Sequence, residues 1–244
     1  MEWTDQAIVL AIQKHGEGSV ILELLTRDLG RHKGLVRGAT SQRMRGILQP
    51  GNVVQATWKA RLAEHLGMFQ VELIKARTAQ ILDQRHLVLG LSSLCAVASQ
   101  VLPEREAHRD IFDASTHVLD LLTADDVSPL DVGRAIVHWE LGLLGALGFG
   151  LDLSACAVTG DTDNLAFVSP RSGRAVSAEG AGDYASRLLV LPGFIGRGAE
   201  VPATGDDVLA GFALTGHFLD YHLCQPNGQK LPPARERFLN YLRG

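Results

Sequence analysis

Eight cations fall between positions 27 and 61: Arg27, Arg31, Lys33, Arg37, Arg43, Arg45, Lys59 and Arg61. Asp28 is the one acid among them. Arg31, Lys33 and Arg37 stand at even separations in RHKGLVRG, and residues two or four apart on a β-strand share a side. A strand with a basic face on a small β domain points to a polyanion, nucleic acid first. The same pattern also describes a solvated edge that discourages strand-to-strand association. On pattern alone both readings stand.

Other chemistry is sparse. The chain holds no GxxxxGK[ST], GxGxxG or HExxH, the signatures of phosphate cradles, dinucleotide sites and zinc proteases. It also lacks the GxSxG nucleophile elbow of serine hydrolases. His217, Asp220 and His222 cluster in one helical stretch and would suit a metal or an acid–base pair. Five residues on a 3.6-residue helix set the two histidines roughly 140° apart, so a structural or surface role is the expectation. Cys95, Cys156 and Cys224 are odd in number and far apart, which implies no disulfide framework and a reducing interior. Glu104, Glu106 and His108 read as a charged first helical turn. Trp58 sits on an apolar strand face with only Trp3 and Phe69 for aromatic company in this region. Core packing is its expected role, and phosphate neutralisation would carry most of any nucleic-acid affinity.

The composition supports elements that could position these groups. The 244 residues are 46% hydrophobic and 20% charged, typical of a soluble globular protein of one large or two smaller domains. The net charge of −4 hides an asymmetry. Residues 1–77 carry eleven Lys and Arg against seven Asp and Glu; residues 78–244 carry twelve against twenty. A basic front and an acidic back argue for two surfaces with different partners. No apolar run nears the roughly 18–20 residues of a membrane span. MEWTDQAIV starts acidic and runs into a strand, so no signal peptide is expected and the cytoplasm is the expected home.

Residues 6–77 read as five short strands, over 6–15, 19–27, 31–38, 52–61 and 68–77, with a polar connection over 39–50. Val20, Leu22 and Leu24 alternate with Glu23; Val54, Ala56 and Trp58 alternate with Gln55, Thr57 and Lys59; Phe69, Val71 and Leu73 alternate with Gln70 and Glu72. One apolar and one polar face per strand predicts a half-buried antiparallel sheet. Five such strands fit a small closed barrel, an OB-fold or an SH3-like barrel.

Past residue 78 the period becomes helical. Leu87, Leu91, Leu94, Ala98 and Val101 form one stripe. Pro103 is expected to open a second helix, with Glu104 and Glu106 in its first turn and Ile111, Phe112, Val118 and Leu122 on its apolar side. Ser128-Pro129 with Asp131 starts a third helix that stops at Gly148, Thr204 with Asp207 starts a fourth, and Pro233 starts the last. Residues 151–200, rich in Gly, Ser and Asp, are an irregular insert. The fold class predicted is α+β: a barrel domain over 1–78, then a helical bundle domain over 79–244.

The run from Gly16 through Thr26 (GEGSVILELLT), then Gly30, Val36-Arg37-Gly38-Ala39 and Leu48-Gln49-Pro50-Gly51, resembles the bacterial recombination mediator family RecO. The order of barrel, helices and cysteine-containing insert matches along essentially the whole chain. The resemblance implies an OB-fold first domain, binding of single- and double-stranded DNA, and annealing of complementary strands. It further implies that, with a partner named RecR, the protein helps load the recombinase RecA onto DNA covered by single-strand-binding protein. The C-terminal tail of that binding protein would be a further partner of the helical domain, and no enzyme activity or cofactor is implied.

Many members carry zinc in the insert, held by two C-x-x-C pairs around a segment like F-S-P-x-x-G. Here Val168-Ser169-Pro170-Arg171-Ser172-Gly173 is the middle, Cys156 remains, and Thr159, Ser177 and Gly180 stand at the other ligand positions. A structural zinc needs four ligands, so the expectation is a retained shape without metal. Thr40 stands where the family's A-K-G-x-[RK] segment ends in a cation, while Arg37 keeps the earlier one. Two other readings exist: a metal-dependent enzyme using His217, Asp220 and His222, and an adaptor whose barrel charge meets an acidic protein.

Overall fold

Five strands open the first architectural unit: β1 (Glu2–His15), β2 (Ser19–Thr26), β3 (Gly30–Arg37), β4 (Val53–Lys59) and β5 (Met68–Lys75). The computed structural model describes residues 1–62, 64–195 and 203–244. The strands close in the order β1-β2-β3-β5-β4, and β4 returns to β1. All pairs are antiparallel except β3 with β5, a parallel pairing of one residue from each, Leu35 with Met68. This is the five-stranded OB-fold barrel. Ala7, Val9, Leu22, Leu24, Val36, Val54, Ala56, Trp58 and Phe69 fill its interior.

Between β3 and β4 runs a short helix, α1 (Gln42–Ile47), where the sequence predicts a polar connection. Ser41 caps it, its Oγ accepting from the Met44 amide at 3.3 Å. Ile47, Leu48 and Met44 pack against the barrel core. A helix this short does not let a 3.6-residue period show in sequence.

The first unit extends beyond the barrel, through α2 (Thr78–Ile81), α3 (Arg85–Val101) and α4 (Arg109–Leu121), to Asp126. The change of period near residue 78 is therefore not the edge of compactness, which lies at Asp126–Val127. The reason is packing: α3 lies against β1. Ile8 alternates with the interior residues Ala7 and Val9, so it points outward, and it is nonetheless fully buried. That double-sided burial explains why β1 is apolar at consecutive positions.

The second helix does not begin at Pro103. Proline disfavours helical backbone before it, and Leu102 is extended. Arg105 then adopts φ +64°, and α4 starts only at Arg109. The intervening segment lies along β3: Arg31 bridges Glu104 in parallel, and the Arg105 amide donates to the Arg31 carbonyl at 2.9 Å. Gly30 makes this approach possible, since a Cβ there would sit 2.0 Å from the Glu106 carbonyl oxygen.

The second unit, Val127–Gly244, holds α5 (Pro129–Ala146), α7 (Gly205–Leu219) and α8 (Pro233–Arg243). Between α5 and α7 lie the short strands β6 (Leu165–Val168), β7 (Ala175–Ser177) and β8 (Leu189–Val190) and the single turn α6 (Ala178–Ala181). The strands order β7-β6-β8. Positions 196–200 of the expected insert lie outside the described residues. Both sequence-read starts are complete capping boxes, Ser128 with Asp131 and Thr204 with Asp207. Buried Arg235 of α8 donates to Glu140 of α5 at 2.7 and 2.9 Å and to the Phe212 carbonyl of α7 at 2.8 Å. Thr215 donates to the same carboxylate. Glu140 thus ties three helices together. Among the described residues, no helix is long and apolar enough to cross a membrane.

Candidate nucleic-acid interface

The alternation expected for β3 holds: Arg31, Lys33, Leu35 and Arg37 face outward while His32, Gly34 and Val36 are buried. The hairpin register puts Glu23 opposite Lys33 and Ser19 opposite Arg37. Arg31 reaches diagonally to Glu23, Nη1 to Oε1 at 2.6 Å, and its Nε donates to the Leu102 carbonyl at 2.7 Å. Its side chain is 11% exposed. Lys33 pairs with Glu104 at 2.9 Å, and the Lys33 hydrogen bond and nearby cations hold the Glu104 carboxyl below its usual range. Two of the three cations of the basic face, mostly buried Arg31 and part-exposed Lys33, are therefore paired with acids of their own unit.

The remaining cations divide in the same way. Arg27 donates to Asp113 at 3.3 and 3.4 Å, and that hydrogen bond raises its pKa. Lys59 meets Glu2 at 2.9 Å across the β1–β4 ladder. Arg37 at the end of β3, Arg43 and Arg45 on α1, and Arg61 just past β4 are exposed. None of these four has an ion pair among the described residues. Trp58 is buried beside Phe69 and half-buried Trp3, its ring stacked on Trp3 at 5.7 Å, and its Nε1 donates to the Leu66 carbonyl at 3.0 Å. It packs the core and holds the β4–β5 loop.

Two features of this surface escape a reading of the sequence. The acids that cancel the basic strand, Glu23 and Glu104, become partners only through the hairpin register and the path of segment 103–108. The Asp28-Leu29-Gly30 turn signals the first; nothing local signals the second. Leu66 and Met68 are 40% and 43% exposed, and Leu35 on β3 pairs with Met68 on β5.

His217, Asp220 and His222 do not converge. The His217 Nε2 sits 3.0 Å from the Pro170 carbonyl, His222 stacks on Phe149 at 4.5 Å, and Asp220 accepts from Gln225 at 2.6 Å. A π-helical turn over Asp220–Cys224 follows α7 and breaks the regular helical phase expected there. No group of three or more His, Cys, Asp or Glu suited to a metal occurs among the described residues.

The Cys156 turn does not fit zinc either. Its Sγ accepts from the amides of Val158 and Thr159 at 3.4 Å each, from the Ser177 amide at 3.2 Å and from Ser177 Oγ at 3.3 Å. Ser177 Oγ also caps α6 by accepting from the Gly180 amide, and a Cβ at Gly180 would lie 2.9 Å from the sulfur. One thiol with hydroxyl and glycine neighbours cannot supply a closed tetrahedral shell. Burial pushes this thiol up, but the hydrogen bonds from Ser177 and Thr159 outweigh it and bring the pKa to about 6.

The model of the family described as recombination protein O, N terminal, matches residues 1–77, and that described as recombination protein O, C terminal, matches residues 83–231. Relatives named DNA repair protein RecO include one from Rhodospirillum rubrum, 50% identical over 244 residues, which cover 100% of this chain and 97% of that one. One from Bradyrhizobium sp. is 48% identical over 98% of this chain and 95% of its own. One from Jannaschia sp. is 47% identical over 99% and 96%.

Proposed function

This chain belongs to the RecO family of DNA repair proteins, and we propose that it serves there as a non-catalytic recombination mediator. It binds single- and double-stranded DNA by phosphate neutralisation, holds complementary strands together so that they anneal, and leaves sequence discrimination to base pairing. With RecR it helps place RecA on DNA covered by single-strand-binding protein, whose C-terminal tail docks on the acidic helical region. It works in the cytoplasm, at the nucleoid.

The observation that carries the reading is the set Arg37, Arg43, Arg45 and Arg61, exposed and without ion pairs among the described residues, around one barrel. Lys33 and Lys59, about half exposed, join them by exchanging a surface carboxylate for a phosphate. Arg27 adds to the local field, and Arg31 chiefly holds segment 103–105 on β3. The division into a barrel domain over 1–78 and a helical domain over 79–244 is part of this proposal, as two functional regions.

The test is salt-titrated binding to single- and double-stranded oligonucleotides, with the annealing rate of complementary strands measured alongside. A linear fall of log affinity with log salt and faster annealing are expected. Absence of binding at low salt would overturn the reading.

A further inference from the structure

We propose that Glu104 is a competitor of nucleic acid carried by the chain itself, an autoinhibitory carboxylate that stands on Lys33 in place of a phosphate. It keeps the grip of the barrel on DNA below what its cations allow. The proposal rests on the DNA-binding reading and goes further, to what restrains that binding.

One carboxylate oxygen of Glu104 meets two cations of β3, Lys33 Nζ at 2.9 Å and Arg31 Nη1 at 3.4 Å. A phosphate oxygen would offer the same two side chains the same charge-assisted contact. The two cations differ in what they can give up. Arg31 is 11% exposed and already holds Glu23 and the Leu102 carbonyl, so it stays with the fold. Lys33 and Glu104 are 39% and 44% exposed. Among the described residues, Glu104 is the one carboxylate paired with Lys33. Exchanging it for a phosphate opens no buried group.

The backbone fixes this acid in place. Glu104 bridges Arg31, the Arg105 amide donates to the Arg31 carbonyl at 2.9 Å, and Arg105 Nη2 donates to the His65 carbonyl at 3.2 Å. The approach requires Gly30, where a Cβ would clash with Glu106, and a left-handed Arg105 at φ +64°. That conformation is unfavourable for a residue with a side chain, and here it serves to set Glu104 against the basic strand. A carboxylate already tethered beside its cation loses no translational freedom in meeting it, whereas an incoming phosphate does. The carboxyl is also held below its usual range by the Lys33 hydrogen bond, so it is charged at neutral pH. Arg37, Arg43, Arg45 and Arg61 have no ion pair of this kind among the described residues, which confines the restraint to β3.

The experiment is a double-mutant cycle on the full chain, with oligothymidylate as the probe at low salt. Glu104→Gln keeps the main-chain bonds of the segment and removes the charge. It should bind about two- to fivefold more tightly than the unaltered protein, the range an exposed ion pair supplies. In a Lys33→Ala background the same substitution should change affinity little, because the cation it competes for is gone. Glu104→Ser gives the same comparison should the amide variant fail to fold, and urea unfolding of each variant checks the fold. No gain from Glu104→Gln, or an equal gain with and without Lys33, would overturn the competitor and leave DNA binding intact. Failure of the unaltered protein and of both Glu104 variants to bind at low salt would overturn the DNA reading itself.

Discussion

Arg31 and Glu23 form an ion pair at 2.6 Å on the outer side of the β2–β3 hairpin, both side chains 11% exposed. The guanidinium also holds the Leu102 carbonyl, so this cation joins the barrel to the segment that leads into α4. Arg31→Ala leaves Glu23 without its counterion in a place water hardly reaches. A loss of about 2–4 kcal/mol in stability is expected, read from urea unfolding. A loss below about 0.5 kcal/mol would show that the pair is not structural.

The opposite behaviour is expected of the free cations. Replacing Arg37, Arg43, Arg45 and Arg61 by Ala together should change stability little, since each is exposed. The slope of log affinity against log salt for single-stranded DNA should fall by about 0.7 for each phosphate that is no longer neutralised. An unchanged slope would move the interface elsewhere.

Cys156 gives the chain a pH response. Its thiol, ordinarily near 9.0, is depressed to about 6 in the folded state, so folding favours the thiolate. That contribution is complete above the unfolded value and is lost as pH falls through the folded one. The stability of the protein relative to Cys156→Ala should therefore grow between the two values, from about 6 to 9.0. A gap that narrows over this window would refute the thiolate. Cys95 offers the contrast: burial pushes it up to about 12, so its thiol stays protonated throughout.

In the second unit, Glu140→Ala should cost about 3–5 kcal/mol because it strands the buried Arg235 charge. Arg235→Met/Glu140→Leu removes both charges and should recover much of that stability. Denaturant unfolding of the double and the single variant, side by side, checks this. A double variant as unstable as Glu140→Ala alone would place the cost in packing rather than in the lone charge.

The barrel is legible in the sequence because its signals are local. Alternation in β2, β4 and β5 is written in consecutive residues, and Ser128 and Thr204 announce α5 and α7 within four positions each. The basic stretch is legible as composition but not as a surface. Glu23 and Glu104 come to Arg31 and Lys33 through strand register and through a segment whose proline and acids imitate a helix start, and no local pattern encodes either pairing. Helix α1 is less than two turns long, so it shows no period. Glu104 in segment 103–108 bridges Arg31 of β3, a backbone partner some seventy positions away, which no pattern around Pro103 reveals.

Leu35 with Met68 is the one residue pair that registers β3 against β5, whereas the other strand pairs of the barrel run through seven or eight. The barrel is closed there by its shortest seam. Amide hydrogen exchange should be fastest along that line, as local opening starts where the fewest bonds must break. A ligand held across Leu35 and Met68 would bridge the seam, so occupancy would be recorded as slowed exchange in the wall of the barrel.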